Sequence, residues 1–243
     1  MSTRAGGVSA APFETLNLRP PGLRGDAVDE PGAVRENQRR FAAALGARPV
    51  WLDQVHGADV VRLTPDHLAP DAPFPRADAS VTTEPGIGCA VLVADCLPVL
   101  LCDRGGRAVG AAHAGWRGLA GGVIEHTLGA LCDAAGCAPA DVVAWLGACI
   151  GPRQFEVGAD VLEAFGADPA GAYPARFVYR PRDDGSPRWL ANLPQLARDR
   201  LRAAGVGAIS GGTWCTVEAP SRFFSFRRDR VTGRLAAAIA LRA

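Results

Sequence analysis

Four histidines and seven cysteines supply the imidazole and thiol donors of this 243-residue chain. His56 falls in a turn-like tetrad, His56-Gly57-Ala58-Asp59, between two apolar runs. Cys96 follows the apolar run Gly88–Ala94, and His113 follows the small-residue run Ala108–Ala112, just ahead of Gly115-Trp116-Arg117-Gly118. Reactive side chains emerging at the ends of apolar runs sit where α/β proteins assemble their sites. One thiolate and two imidazoles form a three-ligand set for zinc, with a fourth position left for a water that the metal makes acidic. Spacing alone leaves open that the three residues share no role. His67, in a Pro-rich loop, and His126, on the polar side of a helix, are expected to be exposed and without function.

Other residues carry two readings each. Asp95, next to Cys96, suits a proton shuttle beside a metal-bound water, and equally a hydrogen-bonded turn. Asp78 reads as a turn or strand-start residue. Arg117, just ahead of a helix start, would hold a phosphate with the free backbone amides, or would pack over Trp116 at the surface. Arg222, Arg227, Arg228 and Arg230 cluster around Phe223, Phe224 and Phe226, an interleaving used for single-stranded nucleic acids. A net charge of +1 speaks against a nucleic-acid partner. A strand with buried aromatics is expected there, with one or two arginines reaching a small anion.

All 26 cationic side chains are arginine, and lysine is absent. That excludes a Schiff-base lysine, a pyridoxal-phosphate lysine and a P-loop lysine. No apolar run approaches the roughly 20 residues that span a membrane. The N-terminal residues lack the apolar core of a signal peptide, so a cytoplasmic protein is expected. The cysteines form no CxxC pair, and most are expected to be small buried hydrophobes.

The elements that would position these residues follow from periodicity. Helices are expected over Glu36–Leu45, Ala120–Ala135, Val157–Phe165 and Leu193–Ala204. Strands are expected at Val50–Val55 and Val60–Leu63, joined by the His56 turn, and at Ala79–Thr82, Gly88–Ala94, Pro98–Cys102, Ala108–Ala112 and Val142–Leu146. Further strands are expected at Arg176–Tyr179, Ala208–Gly211, Phe223–Phe226 and Leu235–Leu241. No linker divides the chain, which predicts one mixed α/β domain over residues 1–243.

Three segments resemble one family in particular. They are Gln54-Val55-His56-Gly57-Ala58-Asp59-Val60, Ala94-Asp95-Cys96-Leu97-Pro98-Val99, and Ala112-His113-Ala114-Gly115-Trp116-Arg117-Gly118. Arg4-Ala5-Gly6-Gly7-Val8-Ser9, Leu16-Asn17-Leu18, Ile150-Gly151-Pro152 and Thr232-Gly233-Arg234 match in the same order. The family, YfiH-like, was once called polyphenol oxidase or multicopper laccase-like. It is now understood as one of purine nucleoside phosphorylases and adenosine deaminases. The resemblance implies two mixed β-sheets packed together with helices outside, in an α+β fold. It implies zinc on His56, Cys96 and His113, phosphorolysis of adenosine, inosine and methylthioadenosine, and deamination of adenosine. Purine nucleosides and inorganic phosphate would be the partners, and a monomer or weak homodimer the assembly. Asp95 and Arg117 become candidate catalytic residues, and Ser9, Gln54 and Arg227 candidate substrate contacts.

Two departures stand out. The Arg4–Ser9 segment begins almost at Met1, where the family usually has a preceding strand, so that strand is truncated or the start misassigned. Arg153-Gln154 follows Ile150-Gly151-Pro152, where the family often has cysteine. Rival readings are a metal-free cysteine hydrolase or deamidase using Cys96 and His113, and a non-catalytic sensor of a nucleotide or cell-wall precursor. A copper oxidase fits poorly, because four histidines are too few for multicopper centres.

Overall fold

Short apolar runs in the middle of the chain become the strands of one large sheet in the computed structural model, which describes residues 1–23 and 28–242. The strands are β1 (Arg48–Val50), β2 (Val60–Arg62), β3 (Ala79–Thr82), β4 (Ile87–Val93), β5 (Leu97–Asp103) and β6 (Val109–Ala114). They continue with β7 (Val142–Leu146), β8 (Glu156–Val157), β9 (Phe177–Tyr179), β10 (Trp189–Ala191), β11 (Ala208–Gly211) and β12 (Leu235–Ala240). The α-helices are α1 (Pro31–Leu45), α2 (Trp116–Ala120), α3 (Val123–Ala135), α4 (Ala159–Ala164), α5 (Leu193–Ala203) and α6 (Phe226–Asp229).

The large sheet runs β11-β7-β5-β6-β3-β2, antiparallel in its middle and parallel at both edges. A second mixed sheet runs β1-β4-β12. Side chains alternate along a strand, so each strand divides its apolar residues between two faces. Cys89 and Val91 of β4 share a buried cluster with Val109 and Ala111 of β6, which packs the sheets face to face. Ala90 and Leu92, on the other face of β4, share a cluster with Phe41 of α1. Beyond the large sheet, Ile124, Leu128 and Leu131 of α3 join Val81, Val99 and Ala112 in the main core. The layers are therefore helix, sheet, sheet, helix, each covering the apolar face of the next. A small antiparallel sheet, β8-β10-β9, is added to the two mixed sheets expected.

Several expected elements are corrected. Val50–Val55 and Val60–Leu63 do not form a strand pair: β1 pairs with β4 in one sheet and β2 with β3 in the other. The chain between them is held by side-chain hydrogen bonds instead. α1 starts at Pro31, earlier than expected, because the Glu30 carboxylate caps Ala33 N at 2.7 Å. The helix expected over Ala120–Ala135 is interrupted at Gly122, whose φ of +92° separates α2 from α3. Phe223–Phe226 is no strand: consecutive Phe223 and Phe224 are both buried, a pattern no half-exposed strand supports, and α6 begins at Phe226. Of the seven free cysteines, Cys89 and Cys149 are buried and the other five are partly exposed. At the N-terminus Ser2 N donates to Ala236 O of β12 at 2.8 Å, and Ala236 N donates to Ser2 Oγ at 3.0 Å.

Candidate metal centre and substrate cavity

Asp78, immediately before β3, organises the centre. Its fully buried carboxylate accepts from Val55 N at 3.0 Å, His56 N at 2.9 Å and Gly57 N at 2.7 Å. Three successive amides converge on one carboxylate because His56 adopts φ +63°, in the left-handed region. Oδ1 of Asp78 also lies 2.8 Å from Nδ1 of His113. That contact fixes the ring and leaves Nε2 as the ligand atom, the arrangement in which a carboxylate orients a metal-binding histidine.

Strand register supplies the other donors. β5 and β6 pair Leu97 with Ala114 and Pro98 with His113. Cys96, one residue before β5, therefore stands beside Gly115, one residue after β6. The chain passes from the β4 sheet to the β5 sheet through Ala94-Asp95-Cys96, a corner tight enough to place Asp95 at φ +98°. Cys96 Sγ lies 3.8 Å from His56 Nε2. One ligand atom from each of His56, Cys96 and His113 can be chosen so that all lie within 4.8 Å of one another.

Two glycines permit this closeness. A Cβ on Gly115 would sit 3.0 Å from Cys96 Sγ and 3.1 Å from His56 Cδ2, and one on Gly118 would sit 2.6 Å from Gly57 O. Burial alone would raise the Cys96 thiol, but the charge and hydrogen bonding of His113, with those of His56, outweigh it and bring the thiol down to about 6. His113 is raised to about 9: burial opposes its charge, while Cys96 and Asp78 favour it more strongly. The thiol is thus tuned toward the thiolate that a metal or a nucleophilic mechanism requires.

The trio opens into a cavity of about 680 Å³ whose walls include Leu52, Leu92, Trp116 and Phe155. Such walls suit the flat faces of an aromatic base, with polar groups at one end to orient it. Gln54 lines the cavity while its amide takes a strand's place beside β4, donating to Leu92 O at 2.9 Å and accepting from Leu92 N at 2.7 Å. Asp95 also lines it. Its oxygens accept from Thr216 Oγ1 at 2.5 Å and Arg227 N at 2.6 Å, which ties the C-terminal segment to the corner holding Cys96. Arg227 reaches the wall with its guanidinium 5.7 Å from the Phe155 ring centroid.

The structure does not bring Ser9 or Arg117 to the cavity wall. Ser9 is buried elsewhere, its hydroxyl accepting from Asn37 Nδ2 at 2.8 Å. Arg117 is exposed and stacks over Trp116, 4.3 Å from the ring, the alternative open to it in the sequence. His67 is partly buried rather than exposed, its Nδ1 accepting from Thr64 N at 3.1 Å. His126 is exposed, with Nδ1 3.0 Å from Ala58 O. Asp78 stands at the start of β3, just ahead of Ala79, one of the two places read for it from the sequence, but its role in the site was not foreseen. Sequence reasoning gave no role to Arg19, nor to Thr232 and Arg234, named only for the family resemblance; all three line the cavity from opposite ends of the chain.

Residues 1–242 match the family model described as multi-copper polyphenol oxidoreductase laccase. The chain is 48% identical to the purine nucleoside phosphorylase YfiH of Escherichia coli (strain K12), over 98% of this chain and 91% of that protein. It is 47% identical to the purine nucleoside phosphorylase PA4543 of Pseudomonas aeruginosa, again over 98% and 91%. The crystal structure of Neisseria meningitidis protein NMB0706 superposes with a TM-score of 0.85 at 43% identity, covering 99% of this chain and 92% of that one. Matched along nearly its full length in sequence and in fold, and with the His56–Cys96–His113 group assembled in its cavity, the chain belongs to this family of polyphenol oxidoreductase laccase description and purine nucleoside phosphorylase relatives.

Proposed function

We propose that this protein is a zinc-dependent purine nucleoside phosphorylase that accepts adenosine, inosine and methylthioadenosine and also deaminates adenosine. The observation that carries the reading is the His56–Cys96–His113 group in the wall of a cavity sized and lined for a nucleoside. The donor set fits zinc: two imidazoles and a thiolate match a three-ligand catalytic site, and Asp78 supports one imidazole from behind. Bound there, zinc supplies a Lewis acid and acidifies water. Copper chemistry of the multicopper kind is a poorer fit to a chain with four histidines.

In phosphorolysis an oxygen of inorganic phosphate bonds to the ribose C1′ as the C1′–N9 bond breaks, and the base leaves with the bonding pair and takes up a proton. The protein's part is to hold the phosphate beneath C1′, where positive charge develops, with arginine and preset hydrogen-bond donors. Arg227 stands in that wall. In deamination an oxygen of water bonds to purine C6 and ammonia leaves. We assign to Asp95, which lines the cavity beside Cys96, the transfer of a proton to the leaving nitrogen. Gln54 orients the base edge. We assign the activity to one unit spanning residues 1–243, acting in the cytoplasm as a monomer or weak homodimer without a nucleic-acid or membrane partner.

A second reading rests on a specific observation. Cys96, His113 and Asp78 form a nucleophile, base and orienting carboxylate, which would serve a metal-free cysteine hydrolase. Metal analysis joined to an adenosine assay separates the two. Near-stoichiometric zinc that shields Cys96 from alkylation, with adenine and ribose 1-phosphate formed only when phosphate is present and inosine formed without it, is expected. A metal-free protein with an alkylatable Cys96 and no nucleoside turnover overturns the first reading in favour of the second.

A further inference from the structure

Two arginines separated by 214 intervening residues share one anchor. Asn17, 3% exposed, accepts at Oδ1 from Arg19 N at 3.2 Å and from Arg234 N at 2.8 Å. Its Nδ2 donates to Asp29 Oδ2 at 3.0 Å, so the amide is held the same way round by its surroundings. Leu18 N donates to Arg234 O at 3.1 Å, which lays the N-terminal arm alongside the start of β12. Gly233 makes the approach possible: a Cβ there would sit 2.7 Å from the Phe224 ring and 3.1 Å from Asn17 Cβ. Arg19 and Arg234 both line the cavity of the His56–Cys96–His113 group.

Three observations mark this end of the cavity as built for an anion. Arg234 Nη1 donates to the carbonyls of Thr232 and Gly233 at 3.1 and 3.3 Å, and among the described residues no carboxylate pairs with Arg234 or Arg230. The guanidiniums of Arg230 and Arg234 both lie over the Phe226 ring, at 5.8 and 5.9 Å from its centroid. Thr232, 3% exposed and in the cavity wall, has a buried Oγ1 with no hydrogen-bond partner among the described residues. In a cavity wall, a buried hydroxyl without a protein partner is free to bond a ligand or an ordered water. Burial, and then the like charge of Arg19, hold Arg234 below its ordinary value, against the opposing pull of Cys96 and Asp95.

We propose that Arg234, Arg19 and the Thr232 hydroxyl, set in register by Asn17, form a phosphate-binding subsite for the inorganic phosphate that attacks the nucleoside. The inference rests on the phosphorylase reading and places its second substrate on these residues rather than on Arg227 or Arg117. The planar fork of arginine offers two parallel donors to a tetrahedral oxyanion, and the threonine hydroxyl supplies a third from another direction. Asn17 acts as a positioning residue.

The test is direct binding of inorganic phosphate to the full chain, by titration calorimetry, alongside binding of adenosine. Wild-type protein should bind phosphate, R234Q should weaken it at least tenfold and T232V several-fold, with adenosine binding weakened less than phosphate binding. R234K, which keeps the charge and loses the fork, should fall between wild type and R234Q, and T232S should restore what T232V loses. Equal phosphate affinity in wild type, R234Q and T232V overturns the subsite even if phosphorolysis is observed. Phosphate binding that depends on Arg234 in a protein that turns over no nucleoside upholds the subsite and overturns the phosphorylase reading instead. Adenosine 5′-monophosphate is the remaining arm: if it binds through Arg234 while free phosphate does not bind, the group recognised is a nucleotide phosphate and the assignment to inorganic phosphate fails.

Discussion

The Asp78 carboxylate joins a loop, a strand and a prospective ligand in one hydrogen-bonded unit. Replacing it with asparagine keeps the shape but removes the charge and turns one acceptor into a donor facing backbone N–H groups. D78N should therefore lower zinc affinity by about 10- to 100-fold, as loss of a carboxylate behind a ligating histidine commonly does. Competition against a chromophoric chelator measures it, and unchanged affinity would refute the orienting role. The His56–Cys96–His113 group was legible in the sequence because histidine is scarce here and each member sits at the edge of an apolar run. Asp78 was not. Its role depends on β2 lying parallel to β3 and on His56 turning left-handed, and neither is a local property of Arg76-Ala77-Asp78-Ala79. Arg117 misled for the opposite reason: its position beside a helix start is a local cue, yet the side chain is satisfied by the neighbouring indole.

Among elements, the β5–β6 hairpin matters most, because its register sets Cys96 against Gly115 and brings His113 alongside. The turn is fastened by Asp103, whose buried carboxylate accepts from Gly105 N at 3.0 Å, Arg107 N at 2.7 Å, Ala108 N at 2.8 Å and Arg107 Nε at 3.0 Å. Burial by itself would raise this carboxyl, but the hydrogen bonds from Ala108 N and from the side chain and backbone of Arg107 overcome it and hold the group below its usual value. A depressed carboxylate contributes stability above its unfolded value, about 3.9 for Asp, and that contribution is lost as pH falls through the folded one. D103N should cost about 1–3 kcal/mol at pH 7, the penalty for disrupting a buried, charge-assisted network. The gap from wild type should shrink as pH drops below about 4. Urea midpoints of both proteins at pH 7 and pH 3 decide it; a gap independent of pH refutes the carboxylate's part. Strands such as β4, β5 and β7 were readable from their apolar runs, whereas their partners were not. Two runs of similar appearance, at β1 and β2, belong to different sheets because pairing is decided by residues far along the chain.

For the molecule as a whole, the centre sits where the two packed sheets exchange chain. His56 lies in the segment that leaves β1 for β2, Cys96 at the corner from β4 to β5, and His113 on β6 of the large sheet. An ion on these three residues would clip both layers together, so the proposed zinc should stabilise the folded state globally rather than one loop. At a free metal concentration 1,000-fold above Kd the gain is about 4 kcal/mol. The melting temperature should rise on zinc addition, fall back on chelation, and lose this response in a His113→Ala protein, while a response retained by H113A would place the ion elsewhere. The layered α/β plan was foreseeable from alternating apolar runs and helical periodicity. The meeting of the chain's two ends was not, since Asn17 joins Arg19 to Arg234 through contacts no local pattern records. That juncture sets an order of events during biosynthesis. While the ribosome is still adding residues before Arg234, the wall of the cavity lacks one side. A chain ending before Thr232 would lack Thr232, Arg234 and strand β12, and so could not complete this wall of the cavity.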